Sequence, residues 1–123
     1  GMVSLLLWSG KQNLAPLDLS SVPLQAILSE LIGSFGLAYV ALNVTTSKNT
    51  LGNDYYGLAM GLSFCGLSLA LGNISGGIFN PAIAMVMAIA NLASFSDLWI
   101  HWVSEFIGAV LAAFVFLYVN GKE

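Results

Sequence analysis

Long apolar stretches broken by short polar intervals set the organisation of this chain. Gly1 to Trp8 is an apolar run that stops at a tryptophan. Ser9 to Ser21 is polar, carries Lys11, Pro16 and Asp18, and reads as a loop. Ser21 and Pro23 supply an N-cap and a first-turn proline, and the chain then stays almost wholly apolar to Val44. Thr45 to Asp54 is polar again. Tyr55 to Gly72 is free of charge and opens with an aromatic pair. Asp97 or Ser96 caps a further apolar helix from Leu98 to Val119, with Trp99 and Trp102 near its start and Tyr118 near its end. The pattern predicts three helical spans, over about 23–44, 55–72 and 98–119, each long enough to cross a bilayer.

The interval over 73–90 breaks this rhythm. Asn73-Ile-Ser-Gly-Gly-Ile-Phe-Asn80 opens with turn residues, and the apolar segment Ile83–Ala90 follows. A helix of roughly ten residues rises only about 15 Å, half a bilayer, so the segment reads as re-entrant. Asn80 at the N-cap and Pro81 at the first helical position mark a strong start. The unpaired N–H groups and positive dipole end of that half-helix would then point toward the bilayer centre. Non-helical backbone at that depth is tolerated only where protein buries it or it lines a watery cavity.

Composition removes the competing classes. Of 123 residues, 58% are hydrophobic and 7% charged, and no charged side chain lies between Asp54 and Asp97. A soluble domain of this size needs a charged surface. With three Lys+Arg, a formal net charge of −3 and one cysteine, the chain is neither a nucleic-acid binder nor a disulfide scaffold. The fold class is an all-α membrane protein. Gly33 with Gly36, Gly57 with Gly61, and Gly108 with Ala112 are spaced for close helix packing. Lys48 and Lys122 on one side against Lys11 on the other place the 45–54 loop and the C-terminus in the cytoplasm.

The stretch Ser75-Gly-Gly-Ile-Phe-Asn-Pro-Ala82 resembles the signature half-helix loop of the aquaporin (major intrinsic protein) family. Glu30, in Ser29-Glu-Leu-Ile-Gly-Ser-Phe35, resembles the membrane-buried glutamate that opens each repeat of that family, and Trp99 to Ala113 resembles the helix that closes one. The resemblance covers about 25–119. It implies one aquaporin-like repeat of three transmembrane helices plus a re-entrant half-helix over 73–90. Residues 1–24 become the end of a preceding helix and a loop, and 120–123 a tail. Family channels carry two such repeats in inverted orientation. The match of Trp99–Ala113 and the Lys122-Glu123 tail favour the second, C-terminal repeat. Ser-Gly-Gly before Asn80, Ile83 where that repeat usually has Arg, and Ser104-Glu105 where it usually has Gly-Pro favour the first.

The function implied is half of a passive channel for water or small neutral solutes of the glycerol or urea type, with no cofactor. Asn80, Pro81 and Ala82 form the pore motif, the Asn80 amide donating a hydrogen bond to pore water while its backbone caps the half-helix. Gly76, Gly77 and Ile78 offer backbone carbonyls to the water file. For a second repeat, Ser68, Gly77 and Ile83 fall at selectivity-filter positions, small and uncharged. Glu30 is a buried structural carboxylate bracing the loop. Implied partners are the lipid bilayer, a second repeat in the same or another chain, and a homotetramer of complete channels.

Two alternatives remain open on the sequence. One is a non-conducting half that associates with full-length channels; the other is a small proton-coupled transporter using Glu30. An enzyme lacks support, because no nucleophile–base pair or ligand cluster is visible. His101 and Glu105, four apart, share a helix face and could hold a metal. Cys65 lies in a different span and no third ligand is evident, so no metal site is expected and His101 reads as an interfacial residue beside Trp99 and Trp102.

Overall fold

The computed structural model describes residues 16–121. The expected end of a preceding helix at Gly1–Trp8, with Lys11 and Lys122, lies outside the described residues. Among the described residues four α-helices follow one another: α1 (Pro23–Thr45), α2 (Tyr56–Ser75), the short α3 (Pro81–Ile89) and α4 (Leu98–Asn120). Single 3₁₀ turns at Lys48–Thr50 and Phe95–Asp97 punctuate the loops. Among the described residues, helices α1, α2 and α4 are long and apolar enough to cross a membrane. The expected spans are met to within about three residues.

The departures lie at the ends, where local capping chemistry was expected to decide. Val22, not Ser21, is the N-cap of α1, and no side chain caps it; Pro23 occupies the first turn as expected. Asp97 stands at the N-cap of α4 without capping it. Its carboxylate instead accepts from the Leu19 backbone N–H at 2.8 Å and from Ser96 Oγ at 3.3 Å, so a long-range tie has displaced the local one. Asn73, Ile74 and Ser75 are not turn residues: α2 runs through them and stops at Gly76, whose φ of 91° only glycine adopts readily.

Helix α1 is central, packing against both α2 and α4, and α3 rests on α4. The segment before α1 docks over the end of α3. Leu17 pairs with the chain beyond α3 through Leu17 N–H to Leu92 O (2.9 Å) and Ser94 N–H to Leu17 O (3.1 Å), and Leu19 packs with Ala26 and Ile100. At the α1–α4 crossing Gly108 meets Ser34 Oγ, the Leu31 carbonyl and the Phe35 amide so closely that a Cβ would collide with all three. Gly33 leaves its space to the Phe79 ring, and Gly36 faces Leu67. At Gly108 a small residue lets two helix backbones approach, as its spacing with Ala112 predicted, whereas Gly33 and Gly36 make room for side chains. A Cβ added at Gly57 or Gly61 would meet nothing within 4 Å among the described residues. Leu58, Leu62 and Leu69 on the same helix are exposed, and Ser75 is the buried residue of α2.

Candidate functional site: the half-helix loop and its buried brace

Gly76 to Asn80 joins α2 to α3 in a backbone that ordinary residues avoid. Gly76 (φ 91°), Gly77 (φ 65°) and Phe79 (φ 52°) all lie in the left-handed region. Gly77 sits against the Ser68 and Gly72 backbone, where a Cβ would come within 3.1 Å of Gly72 Cα. Phe79, the one non-glycine of the three, is held by its ring, buried between Gly33 and an edge-on contact with Phe64 at 6.3 Å between centroids.

Such a loop exposes backbone N–H groups that need acceptors, and Glu30 supplies them. Its Oε1 accepts from Ser75 Oγ at 2.5 Å and from the Ile78 N–H at 3.2 Å; its Oε2 accepts from the Phe79 N–H at 2.7 Å. Ser29 Oγ lies 3.0 Å from Ser75 Oγ, extending the polar contact along α1. Glu30 has no exposed surface. A carboxylate fixed by three donors is a rigid, oriented acceptor.

The half-helix begins where it was expected. Asn80 is its N-cap, with extended backbone (φ −154°, ψ 121°), and its Oδ1 accepts from the Ala82 N–H at 2.9 Å. Capping therefore uses the side-chain oxygen, in addition to the backbone expected from the sequence. The Asn80 side chain is exposed and its Nδ2 donates no hydrogen bond among the described residues. Pro81 occupies the first helical position, and its carbonyl accepts from Trp102 Nε1 at 3.2 Å, tying α3 to α4. Of the expected filter positions, Ser68 and Gly77 adjoin each other, Ser68 Oγ donating to the Gly77 carbonyl at 3.4 Å. Ile83, on the first turn of α3, is exposed. Of the carbonyl series, Gly76 is exposed, whereas Gly77 and Ile78 are buried.

His101 is not interfacial. It is 1% exposed, because α4 turns Trp99 and Trp102 outward and His101 inward against α1. The third ligand-type residue missing from the sequence reading is Glu30 itself. His101 Nδ1 stands 3.6 Å from Glu30 Oε2 and 3.7 Å from Glu105 Oε1, so a ligand cluster exists after all. One signal would have found it. Ala26, Ser29, Glu30, Gly33 and Ser34 on α1, and His101, Ser104, Glu105, Gly108 and Ala112 on α4, form stripes of small and polar residues at helical spacing. In a membrane helix that stripe marks the packed face.

A sequence model of the major intrinsic protein family matches residues 8–116. The chain belongs to that family. Among curated relatives, Aquaporin NIP2-2 of Zea mays is 34% identical over 98 residues, which are 80% of this chain and 33% of that protein. Aquaporin Z of Brucella melitensis is 34% identical over 107 residues, 81% of this chain and 46% of the relative. A glycerol uptake facilitator protein-like 6 of Lactiplantibacillus plantarum is 37% identical over 91 residues, 72% of this chain and 41% of the relative. The chain thus spans less than half the length of each of these relatives. No solved structure matches it. The family is one of passive channels, not enzymes, and its three spanning helices make this major intrinsic protein an integral, multi-pass membrane protein.

Proposed function

We propose that this chain builds one half of a passive transmembrane pathway for water and small neutral solutes. The observation that carries the reading is the half-helix α3, begun by an exposed Asn80 whose Nδ2 is uncommitted and anchored through a loop braced by a buried carboxylate. A helix N-terminus carries partial positive charge, and with an outward amide donor it orients water while repelling cations. Asn80, Pro81 and Ala82 are the pore motif, and Gly76, Gly77 and Ile78 offer backbone carbonyls to the water file. Ser68, Gly77 and Ile83 form a filter contribution without charge, which suits solutes of the glycerol or urea type beside water. The relatives named as aquaporins and as a glycerol uptake facilitator agree with that solute range.

A single repeat presents an unpartnered pore face, so the pathway is completed by a second, inverted repeat, with this chain as the C-terminal half and complete channels assembling as tetramers. Glu30 acts as a brace; its two oxygens are engaged by Ser75, Ile78 and Phe79, which favours a structural role over proton coupling. The test is Asn80→Asp in the complete channel, reconstituted in vesicles. Water flux by stopped-flow light scattering is expected to fall, or cation leak to appear, because a carboxylate replaces the amide donor. Unchanged flux and unchanged cation exclusion would overturn the role of Asn80.

A further inference from the structure

Beneath the loop, where α1 crosses α4, three ligand-type side chains converge. Ligand atoms of Glu30, His101 and Glu105 all lie within 4.8 Å of one another, and each residue is at most 2% exposed. Neither ring nitrogen of His101 and neither oxygen of Glu105 has a hydrogen-bond partner among the described residues. Buried polar atoms without partners are rare, and in the interior of a membrane protein they mark function.

The separations of 3.6 and 3.7 Å from His101 Nδ1 to the two carboxylates are too long for hydrogen bonds. They come close to the spacing of donors that share one ion, since tetrahedral bonds of about 2.0–2.2 Å set ligand atoms about 3.3–3.6 Å apart. Charge points the same way. Glu105 is a carboxyl group sealed from water with no hydrogen-bond partner among the described residues, and a divalent cation shared with Glu30 supplies the counter-charge that its ionised form needs there. We propose that Glu30, His101 and Glu105 form a binding site for a single divalent transition-metal ion of the zinc class. One nitrogen and two oxygen donors suit that class, whereas calcium and magnesium take larger all-oxygen shells.

The surroundings of the site are those of a built metal centre. Ser75 Oγ and the Ile78 and Phe79 amides fix the Glu30 carboxylate, as outer hydrogen bonds fix ligating carboxylates elsewhere. An ion held here joins α4 to the same carboxylate that holds the half-helix loop, so loading clamps α1, α4 and the loop together. This assignment stands apart from the identity of the permeant solute.

The test uses the full natural polypeptide, stripped by chelator in detergent and titrated with Co²⁺ and then Zn²⁺. Expected are saturable Co²⁺ binding with the intense visible bands of a four- or five-coordinate site, displacement by Zn²⁺, and an X-ray absorption shell containing imidazole nitrogen at about 2.0–2.2 Å. Loading raises the thermal midpoint and chelation lowers it. Glu105→Gln preserves side-chain shape and is expected to lose one ion equivalent per chain, or to weaken its affinity at least about tenfold. If that variant does not fold, the wild-type spectrum decides alone: imidazole ligation supports the site, and its absence rejects it. Lack of stoichiometric binding, a six-coordinate spectrum without imidazole, or unaltered affinity in folded Glu105→Gln would each overturn the proposal, leaving protons to balance the charge.

Discussion

Glu30 accepts from a hydroxyl and two backbone amides, and no neutral side chain of the same shape reproduces that set. In Glu30→Gln one acceptor oxygen becomes an NH₂ group facing donors. Either the Ser75 and Ile78 pair or Phe79 then loses its acceptor. Hydrogen bonds to a charged acceptor contribute about 1.5–3 kcal/mol each, and buried donors left unpaired cost a similar amount. Glu30→Gln is expected to destabilise the fold by about 3 kcal/mol, read as a lowered thermal midpoint in detergent. A midpoint equal to wild type would show that the loop does not depend on this carboxylate. Glu30 itself was legible, since a carboxylate inside an apolar span must have partners. Which partners it has was not, because Ser75 and Phe79 lie more than 40 positions away.

At the scale of elements, two glycines on two different helices govern how closely the parts approach. Gly33 leaves room for the Phe79 ring, which in turn holds a left-handed backbone at the head of the half-helix. Gly108 brings α4 against the backbone of α1. A methyl group at either position must push apart parts that have no slack, at about 1–3 kcal/mol for overpacking. Gly33→Ala is expected to lower solute flux as well as stability, because it displaces the loop; Gly108→Ala is expected to lower stability first. Paired unfolding and vesicle-flux measurements on both variants check this, and wild-type behaviour in both assays would refute the packing argument. The same glycine spacing on α2 shows the limit of pattern reading. Gly57 and Gly61 are four apart like Gly108 and Ala112, yet a Cβ at either would face open space among the described residues. Spacing identifies a face fit for close packing, and the fold decides what meets it.

The whole molecule is unevenly covered. Helix α1 packs against both α2 and α4 yet leaves Leu24, Leu28 and Ile32 exposed, and α2 leaves Leu58, Leu62 and Leu69 open, with Cys65 exposed among them. Lipid covers such a surface equally well as protein does, so exposure alone does not choose between them. The proposed second repeat makes a distinct prediction: the native polypeptide, isolated from its membrane, has an intact mass near twice that of these 123 residues. Peptides from an inverted companion repeat should accompany it. A native mass equal to this chain alone would require the companion to be a separate polypeptide, and copurification with a second copy or a longer channel would then be the expected finding.

The sequence by itself determined the three spans, the short fourth helix, its Asn-Pro start and the family. These follow from hydropathy, length and capping, which act over a few neighbouring residues. The left-handed Gly76-Gly77 turn was foreshadowed by its glycines, although the true end of α2 lay beyond the residues that read as turn. Only the tertiary structure decided where the polar groups meet. Asp97 abandons its own helix for Leu19, His101 turns inward although flanked by tryptophans, and Glu30 faces both the loop and the His101–Glu105 pair. The physical reason is the solvent. In water, burial selects apolar residues and their period reveals the core; in lipid the apolar side is satisfied everywhere, and the rare polar and small side chains must find one another across helices. That matching is set by helix rotation and crossing, which no local pattern records.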